Sequence, residues 1–247
     1  MSNHLQGKSA LVTGGSRGIG AAIATRLAAD GAAVTLTYGS SKGAAVDVVR
    51  QIVDAGGAAR AIAADARQVG ASAAAVEDTV AHQGGLDILV SNAGINISKP
   101  IDQLDHAAYE AVFNVNVRAA FEVIQASAAA MSEGGRIVAV SATIANHFFV
   151  PGLGLYGASK AALNAFVQGF SRDLGPRGIT INAIVPGPID TDMNPEKSEL
   201  AGMIRGMTGL GRYGRPEEIA ALAAFLVGPE SSFITGARLI VDGGMSV

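Results

Sequence analysis

Tyr156 and Lys160 stand four positions apart in Leu155-Tyr156-Gly157-Ala158-Ser159-Lys160-Ala161. The stretch has a helical pattern, which puts both side chains on one helix face and brings an ammonium towards a phenol. A tyrosine hydroxyl with a reference pKa of about 10 exchanges its proton poorly at neutral pH. A fixed positive charge beside it stabilises the phenolate. The pair then acts as a general acid/base for an alcohol or carbonyl oxygen. By itself Tyr-x-x-x-Lys is common on solvated helix faces, so the rest of the chain must decide.

A second chemical feature is Thr13-Gly14-Gly15-Ser16-Arg17-Gly18-Ile19-Gly20, which follows the first strand candidate and opens the first helical pattern. Glycines there permit tight turning and close approach of backbone N–H groups to a phosphate. The helix N-terminus adds a favourable partial charge for an anion. Gly14, Gly18 and Gly20 read G-x-x-x-G-x-G, which differs from the G-x-G-x-x-G of the common dinucleotide fingerprint.

These residues need a scaffold. Short apolar runs at 10–13, 33–37, 59–62, 87–90, 136–140, 179–184 and 238–241 alternate with helical patterns at 18–30, 42–55, 71–82, 107–131, 156–174 and 216–227. Continuous apolar strands between helices predict a parallel sheet covered on both faces. The repeated β-α-β order predicts an α/β fold, a doubly wound sheet with right-handed crossovers. The expectation is one domain over residues 1–247, with no linker, repeat or compositional break. Its least regular stretch, about 188–211, reads as a flap with a short helix carrying Leu200, Met203, Ile204 and Met207.

Composition narrows the function classes. The 247 residues are 49% hydrophobic and 16% charged, which favours a buried core over disorder. A net charge of −3 offers no field for nucleic acid or an anionic membrane. There is no cysteine, hence no thiolate chemistry, and no His, Asp or Glu cluster has metal-ligand spacing. Met1 to Lys8 lacks the apolar centre of a signal peptide, and no apolar run reaches the roughly 20 residues of a membrane helix. A soluble cytoplasmic protein without nucleic-acid, membrane or metal partners is expected.

Thr13-Gly14-x-x-x-Gly18-Ile19-Gly20, Asn92-Ala93-Gly94, Asn116, Tyr156-x-x-x-Lys160, Pro186-Gly187 and Asp242-Gly243-Gly244 occur in that order. Together they resemble the short-chain dehydrogenase/reductases from about residue 7 to the C-terminus, broadly the ketoreductases similar to 3-oxoacyl-carrier-protein reductase. The resemblance implies a Rossmann-like fold with a seven-stranded sheet, a nicotinamide dinucleotide, and a homotetramer or homodimer built through helices 107–131 and 156–174. It implies a cofactor-binding half at about 7–135 and a catalytic and substrate half at about 136–247. Asp65 and Ala66 would meet the adenine. Asn92, Ala93 and Gly94 would line the adenosine ribose, and Ile189 and Thr191, after Pro186 and Gly187, the nicotinamide carboxamide.

NAD-preferring members carry an acid at the end of the second strand, where it accepts hydrogen bonds from the ribose 2′-hydroxyl. This chain has Thr37-Tyr38-Gly39-Ser40-Ser41-Lys42 there. Arg17 with Ser40, Ser41 and Lys42 suits a 2′-phosphate, Ser16 beside Arg17 is a further cofactor-binding candidate, and the reading is NADP(H).

By resemblance Tyr156 exchanges the proton with the substrate oxygen, Lys160 holds the nicotinamide ribose and lowers the tyrosine pKa, and Asn116 bends its helix and holds a relay water. The family's substrate-binding serine is the departure. Aligned from the strand Gly135-Arg136-Ile137-Val138-Ala139-Val140, its position is Ala142, whereas counting back thirteen from Tyr156 gives Thr143. Successive strand side chains point to opposite faces, so Ser141 or Thr143 replaces the missing hydroxyl only through a local bulge or turn. Hydroxyl replacement, loss of function at Ala142, and catalysis without that hydroxyl all stay open.

Ile144, His147, Phe148, Phe149, Pro151, Leu153 and Leu155, with Met193 and the flap residues, suggest an apolar pocket for a ketone or secondary alcohol. The segments 172–182 and 186–192 also look similar to a subgroup of the family that includes a nucleotide-binding regulatory protein. A binder with weakened or no catalysis is therefore the second reading.

Overall fold

Apolar parallel strands must bury both faces, and the central strands of the sheet do so in a computed structural model that describes residues 3–247, while the edge strands at 58–63 and 238–241 stay partly exposed. The strands are β1 (Ser9–Val12), β2 (Ala33–Tyr38), β3 (Ala58–Ala63), β4 (Ile88–Ser91), β5 (Arg136–Val140), β6 (Thr180–Pro186) and β7 (Arg238–Val241). They pair all-parallel in the order β3-β2-β1-β4-β5-β6-β7. This is the doubly wound parallel sheet the alternation predicts, with the seven strands the resemblance implies.

Side chains alternate between two cores, as a period of two requires. Val12, Val34, Leu36, Val90, Val138 and Ile184 pack on one face against α1 (Gly18–Ala29), α2 (Lys42–Asp54) and α8 (Pro216–Val227). Leu11, Leu89, Ile137, Ala139, Ile181 and Val185 pack on the other, against α3 (Ala71–Gln83), α5 (Ala119–Ala130) and α6 (Gly154–Leu174). Each fully buried Leu, Ile or Val contributes about 1.5–3 kcal/mol, so these two layers hold the strand ends that carry the loops.

The strand order reverses between β1 and β4, where an open α/β sheet has its ligand crevice at the carboxyl ends of the strands. The glycine loop follows β1 and Asn92–Gly94 follows β4, so both line that crevice.

One expectation is corrected. The helical pattern at 107–131 is not one continuous helix: α4 (His106–Phe113) and α5 are joined by a π-helical segment, Asn114–Arg118. A π insertion widens one turn and moves side chains out of α-helical register, commonly at functional sites. The side chain of Asn116 in its middle is drawn towards other elements, as described below. Between β6 and α8 the chain carries α7 (Ala201–Gly206) and two isolated bridges, Ile189 with Gly214 and Thr191 with Asn194. Among the described residues no helix is long and apolar enough to cross a membrane.

Candidate active site

The glycines of the first loop are demanded by backbone angle and by close packing. Gly14 and Gly18 have φ of +64° and +53°, the left-handed region that favours glycine. A Cβ on Gly20 would lie 2.4 Å from the Gly14 carbonyl oxygen and 2.5 Å from Asn92 Nδ2. Gly15, which the motif reading passed over, is equally constrained, since a Cβ there would sit 2.7 Å from that of Leu36.

Thr13 and Asn92 tie this loop to β4. Thr13 Oγ1 accepts from the N–H groups of Asn92 and Ala93 at 3.0 and 3.1 Å. Asn92 Nδ2 donates to the carbonyl oxygens of Thr13 and Gly14 at 3.0 and 3.1 Å. The Asn92 side chain therefore braces the loop. Thr37 braces it from β2, accepting from Gly14 N–H at 3.0 Å.

The α1 N-terminus opens at this loop with no acid in its first turn, which keeps its positive end available to an anion. Ser16 and Ile19 are half-buried beside it, and Arg17 is exposed with Nη1 3.5 Å from a carboxylate oxygen of Asp192. At the end of β2, Tyr38 is half-buried, Ser40 exposed, Ser41 half-buried and Lys42 exposed at the start of α2. The Asp65 carboxylate, next along the rim, accepts from the Arg67 guanidinium at 2.6 to 3.0 Å and from Arg67 N–H at 3.0 Å. These bonds lower its pKa. Its neighbour Ala66 is half-buried.

A cradle of bare glycine backbone, a helix N-terminus and an exposed arginine fits a dinucleotide pyrophosphate and a further phosphate. Among the described residues no group of three or more His, Cys, Asp or Glu could hold a metal ion.

Tyr156 and Lys160 emerge from the first turns of α6, with Lys160 Nζ over the tyrosine ring, 5.8 Å from its centroid. The lysine is buried and Nζ donates to the Val140 carbonyl oxygen at 2.8 Å. Burial lowers the Lys160 pKa to about 8 and raises the Tyr156 phenol to about 12. The lowered phenol pKa expected from the pair is thus not a property of the protein alone, because desolvation outweighs a cation held by a backbone oxygen.

Asn116 is buried, and its side-chain bonds explain the π segment. Its Oδ1 accepts from Ile95 N–H at 2.8 Å, and its Nδ2 donates to Ile95 O and to Ser159 Oγ, both at 2.9 Å. Ser159 Oγ in turn donates to the Tyr156 carbonyl oxygen at 2.7 Å. Both amide protons are used, and Oδ1 keeps one lone pair. A Cβ on Gly94 would lie 3.3 Å from that Oδ1 and 3.4 Å from Lys160 Nζ. Gly94 thus leaves open a spot that both polar atoms face. Ser159 carried no signal in the sequence beyond its place inside the Tyr–Lys spacing.

The hydroxyls flanking Ala142 are committed elsewhere. Ser141 Oγ donates to the Lys160 carbonyl oxygen at 3.2 Å, and Thr143 Oγ1 donates to the Pro186 carbonyl oxygen at 2.9 Å. Both are buried, whereas Ala142 between them is half-buried.

Beyond β6, Gly187 packs so closely on Asp242 that a Cβ would fall 2.6 Å from its Cα. The Asp242 carboxylate accepts from the N–H groups of Gly244 and Ser246, both at 2.9 Å. The terminal Asp-Gly-Gly is therefore a support under Pro186-Gly187. Ile189 is buried with its side chain against Gly214, and the Thr191 methyl packs over Gly18. Phe148, Met193, Leu200 and Met203 are exposed apolar side chains, and Phe148 lies against Gly157, next to Tyr156, where any Cβ would collide with its ring. His147 is exposed and stacks on Phe149.

Comparisons with known proteins bear on the family of this chain. A family model described as enoyl-(acyl carrier protein) reductase matches residues 14–246. The chain is 42% identical to the cyclic-di-GMP-binding biofilm dispersal mediator protein of Escherichia coli K12 over 96% of both chains. It is 40% identical to the short chain dehydrogenase/reductase AacuN of Aspergillus aculeatus over 97% of this chain and 96% of that one. A crystal structure of a short chain dehydrogenase from Burkholderia cenocepacia J2315 in complex with NADP is 50% identical, with a TM-score of 0.97 over 99% of this chain and 100% of that chain.

Proposed function

The chain belongs to the short-chain dehydrogenase/reductase family of oxidoreductases, and on that premise we propose an NADP(H)-dependent enzyme that interconverts a ketone and a secondary alcohol. The observation that carries the proposal is the meeting of Lys160 Nζ and Asn116 Oδ1 at the bare Cα of Gly94, with the same Nζ over the Tyr156 ring, at the crevice the glycine loop lines. When bound, the nicotinamide supplies or accepts the hydride at C4.

The residues divide the remaining work. Tyr156 gives its phenolic proton to the carbonyl oxygen in reduction and takes it back in oxidation. Lys160 offers its two remaining Nζ protons to the ribose hydroxyls, and its charge draws the phenol pKa down from the value burial imposes. Gly94 leaves room for a water or hydroxyl between Asn116 Oδ1 and Lys160 Nζ, which returns a proton to Tyr156 from solvent. Arg17, with Ser40, Ser41 and Lys42, takes the 2′-phosphate that no acid at the end of β2 repels. Ser141 and Thr143 position backbone, so the substrate oxygen receives its one protein hydrogen bond from Tyr156.

The exposed apolar side chains at the mouth suit a substrate with apolar substituents. Phe121 on α5 stays 38% exposed beside Phe166 and Phe170 on α6, an open apolar face that suits a homotetramer or homodimer through those helices.

A second reading is a nucleotide-binding regulator, supported by Ala142 in the serine position and by the 42% identical dispersal mediator. NADPH oxidation over a panel of ketones and β-keto esters, beside Tyr156→Phe, separates the two. Turnover abolished by that variant supports the enzyme, and tight NADPH binding without turnover supports the regulator.

A further inference from the structure

Arg118 ends the π segment that holds Asn116, and its guanidinium crosses to a part of the rim far away in sequence. Its Nη2 donates to the carbonyl oxygens of Ala66 and Arg67 at 3.2 and 2.9 Å, and its Nε to Asn114 Oδ1 at 3.2 Å. Its Nη1 donates to Glu122 Oε1 at 2.9 Å, and Glu122 Oε2 accepts from Gly70 N–H at 3.2 Å. The two side chains are only 23% and 16% exposed, so this ion pair is shielded from solvent more than a surface pair.

The segment they grip runs from Ala66 to Gly70, directly after Asp65 at the end of β3. Asp65 is fixed by Arg67, whose backbone carbonyl Arg118 holds, and Asp65 Oδ1 lies 3.8 Å from a Cβ built on Gly39 in the loop after β2. The backbone of the adenine side of the rim is therefore set by two residues of the π segment and α5.

We propose that Arg118 and Glu122 are positioning residues for the adenosine half of the cofactor, a proposal that rests on the NADP(H) reading above. Neither residue touches the ligand. They hold the Asp65–Gly70 backbone in the shape that receives it. The π insertion lets one short segment serve both ends of the crevice, with Asn116 bonded through Ser159 to the Tyr156 backbone and Arg118 to the backbone after Asp65.

Isothermal titration calorimetry on the full chain tests this with three ligands: NADPH, adenosine 2′,5′-bisphosphate, and reduced nicotinamide mononucleotide. Arg118→Met keeps an unbranched stem of similar volume up to the Nε position and loses the donors. It is expected to weaken NADPH and the bisphosphate roughly ten- to hundredfold, the effect of charge-assisted bonds, while leaving the mononucleotide unchanged. Arg118→Lys recovers part of the loss. In steady state the KM for NADPH rises and kcat holds.

Unchanged bisphosphate affinity in Arg118→Met overturns the proposal and leaves the NADP(H) reading intact. Equal weakening of bisphosphate and mononucleotide also overturns it, as that marks a general structural role. If Arg118→Met does not fold, Glu122→Gln decides by the same comparison. Parent protein that binds neither NADPH nor the bisphosphate removes the cofactor reading and this proposal together.

Discussion

Thr143 Oγ1 donates to the carbonyl oxygen of Pro186 at 2.9 Å, joining the turn after β5 to the end of β6. That bond spends its only proton, as the Ser141 bond to Lys160 O does on the other side. Ala142→Ser is therefore expected to raise kcat roughly tenfold or more, because it adds a donor at the developing oxyanion. Thr143→Ala is expected to cost about 1–3 kcal/mol of stability by leaving the Pro186 carbonyl unpaired. Steady-state kinetics and chemical denaturation on both variants check this pair. A Thr143→Ala protein of full stability with abolished turnover would reassign Thr143 to the substrate.

Tyr156→Phe removes the acid and keeps the ring under Lys160. Turnover should fall at least about a hundredfold, the usual worth of a positioned general acid. NADPH affinity should stay within a factor of about two, because the lost hydroxyl binds the substrate oxygen. Fluorescence titration beside kinetics reads both numbers.

Lys160 makes cofactor binding and stability depend on pH in opposite senses. Its folded pKa of about 8 lies below the unfolded 10.5, so between those values the unfolded chain binds more protons and stability rises with pH. Below about pH 8 the buried charge is a penalty of roughly 3 kcal/mol. Lys160→Met should thus be at least as stable as the parent at pH 7 and lose the rise between about 8 and 10.5. NADPH affinity in the parent should fall above about pH 8 as the ammonium deprotonates, and proton uptake on binding should peak there. Urea melts and calorimetry in buffers of different ionisation enthalpy measure the two slopes.

Arg17 is held by Asp192 across an exposed 3.5 Å pair, which is worth at most about 1 kcal/mol. Arg17→Ala should weaken NADPH roughly ten- to hundredfold and leave NADH almost unaltered. Asp192→Asn should tighten NADPH by up to about fivefold, since it removes a competing carboxylate. Added salt should shrink both effects. Catalytic efficiencies with each cofactor at two ionic strengths decide; a clear NADH preference in the parent would refute the 2′-phosphate assignment.

Much of this was written in local pattern. Alternating apolar runs such as Arg136–Val140 are legible because a strand buried on both faces has few alternatives, and the glycine loop because only glycine tolerates the angles at 14 and 18. Gly15 and Gly157 were not legible, since the atoms that forbid a side chain there come from Leu36 and Phe148, which lie outside the motifs that hold these glycines. The break in the 107–131 helix was hidden for the same reason. Helical periodicity continues through Asn114–Arg118, and the interruption coincides with bonds to Ile95, Ser159 and Ala66 that no periodicity records.

From residue types and spacing alone came the doubly wound sheet, the phosphate loop, the Tyr–Lys pair and the absence of an acid after β2. These follow from backbone sterics, side-chain periodicity and charge, which act within a few residues. Tertiary structure decided what each polar atom is free to do. It showed that Ser141 and Thr143 are committed to backbone, that the Asn92 side chain braces the glycine loop, and that burial drives Tyr156 up and Lys160 down. A hydroxyl or ammonium has few protons to give, and which oxygen receives them is set by neighbours that only the folded chain brings within 3 Å or so.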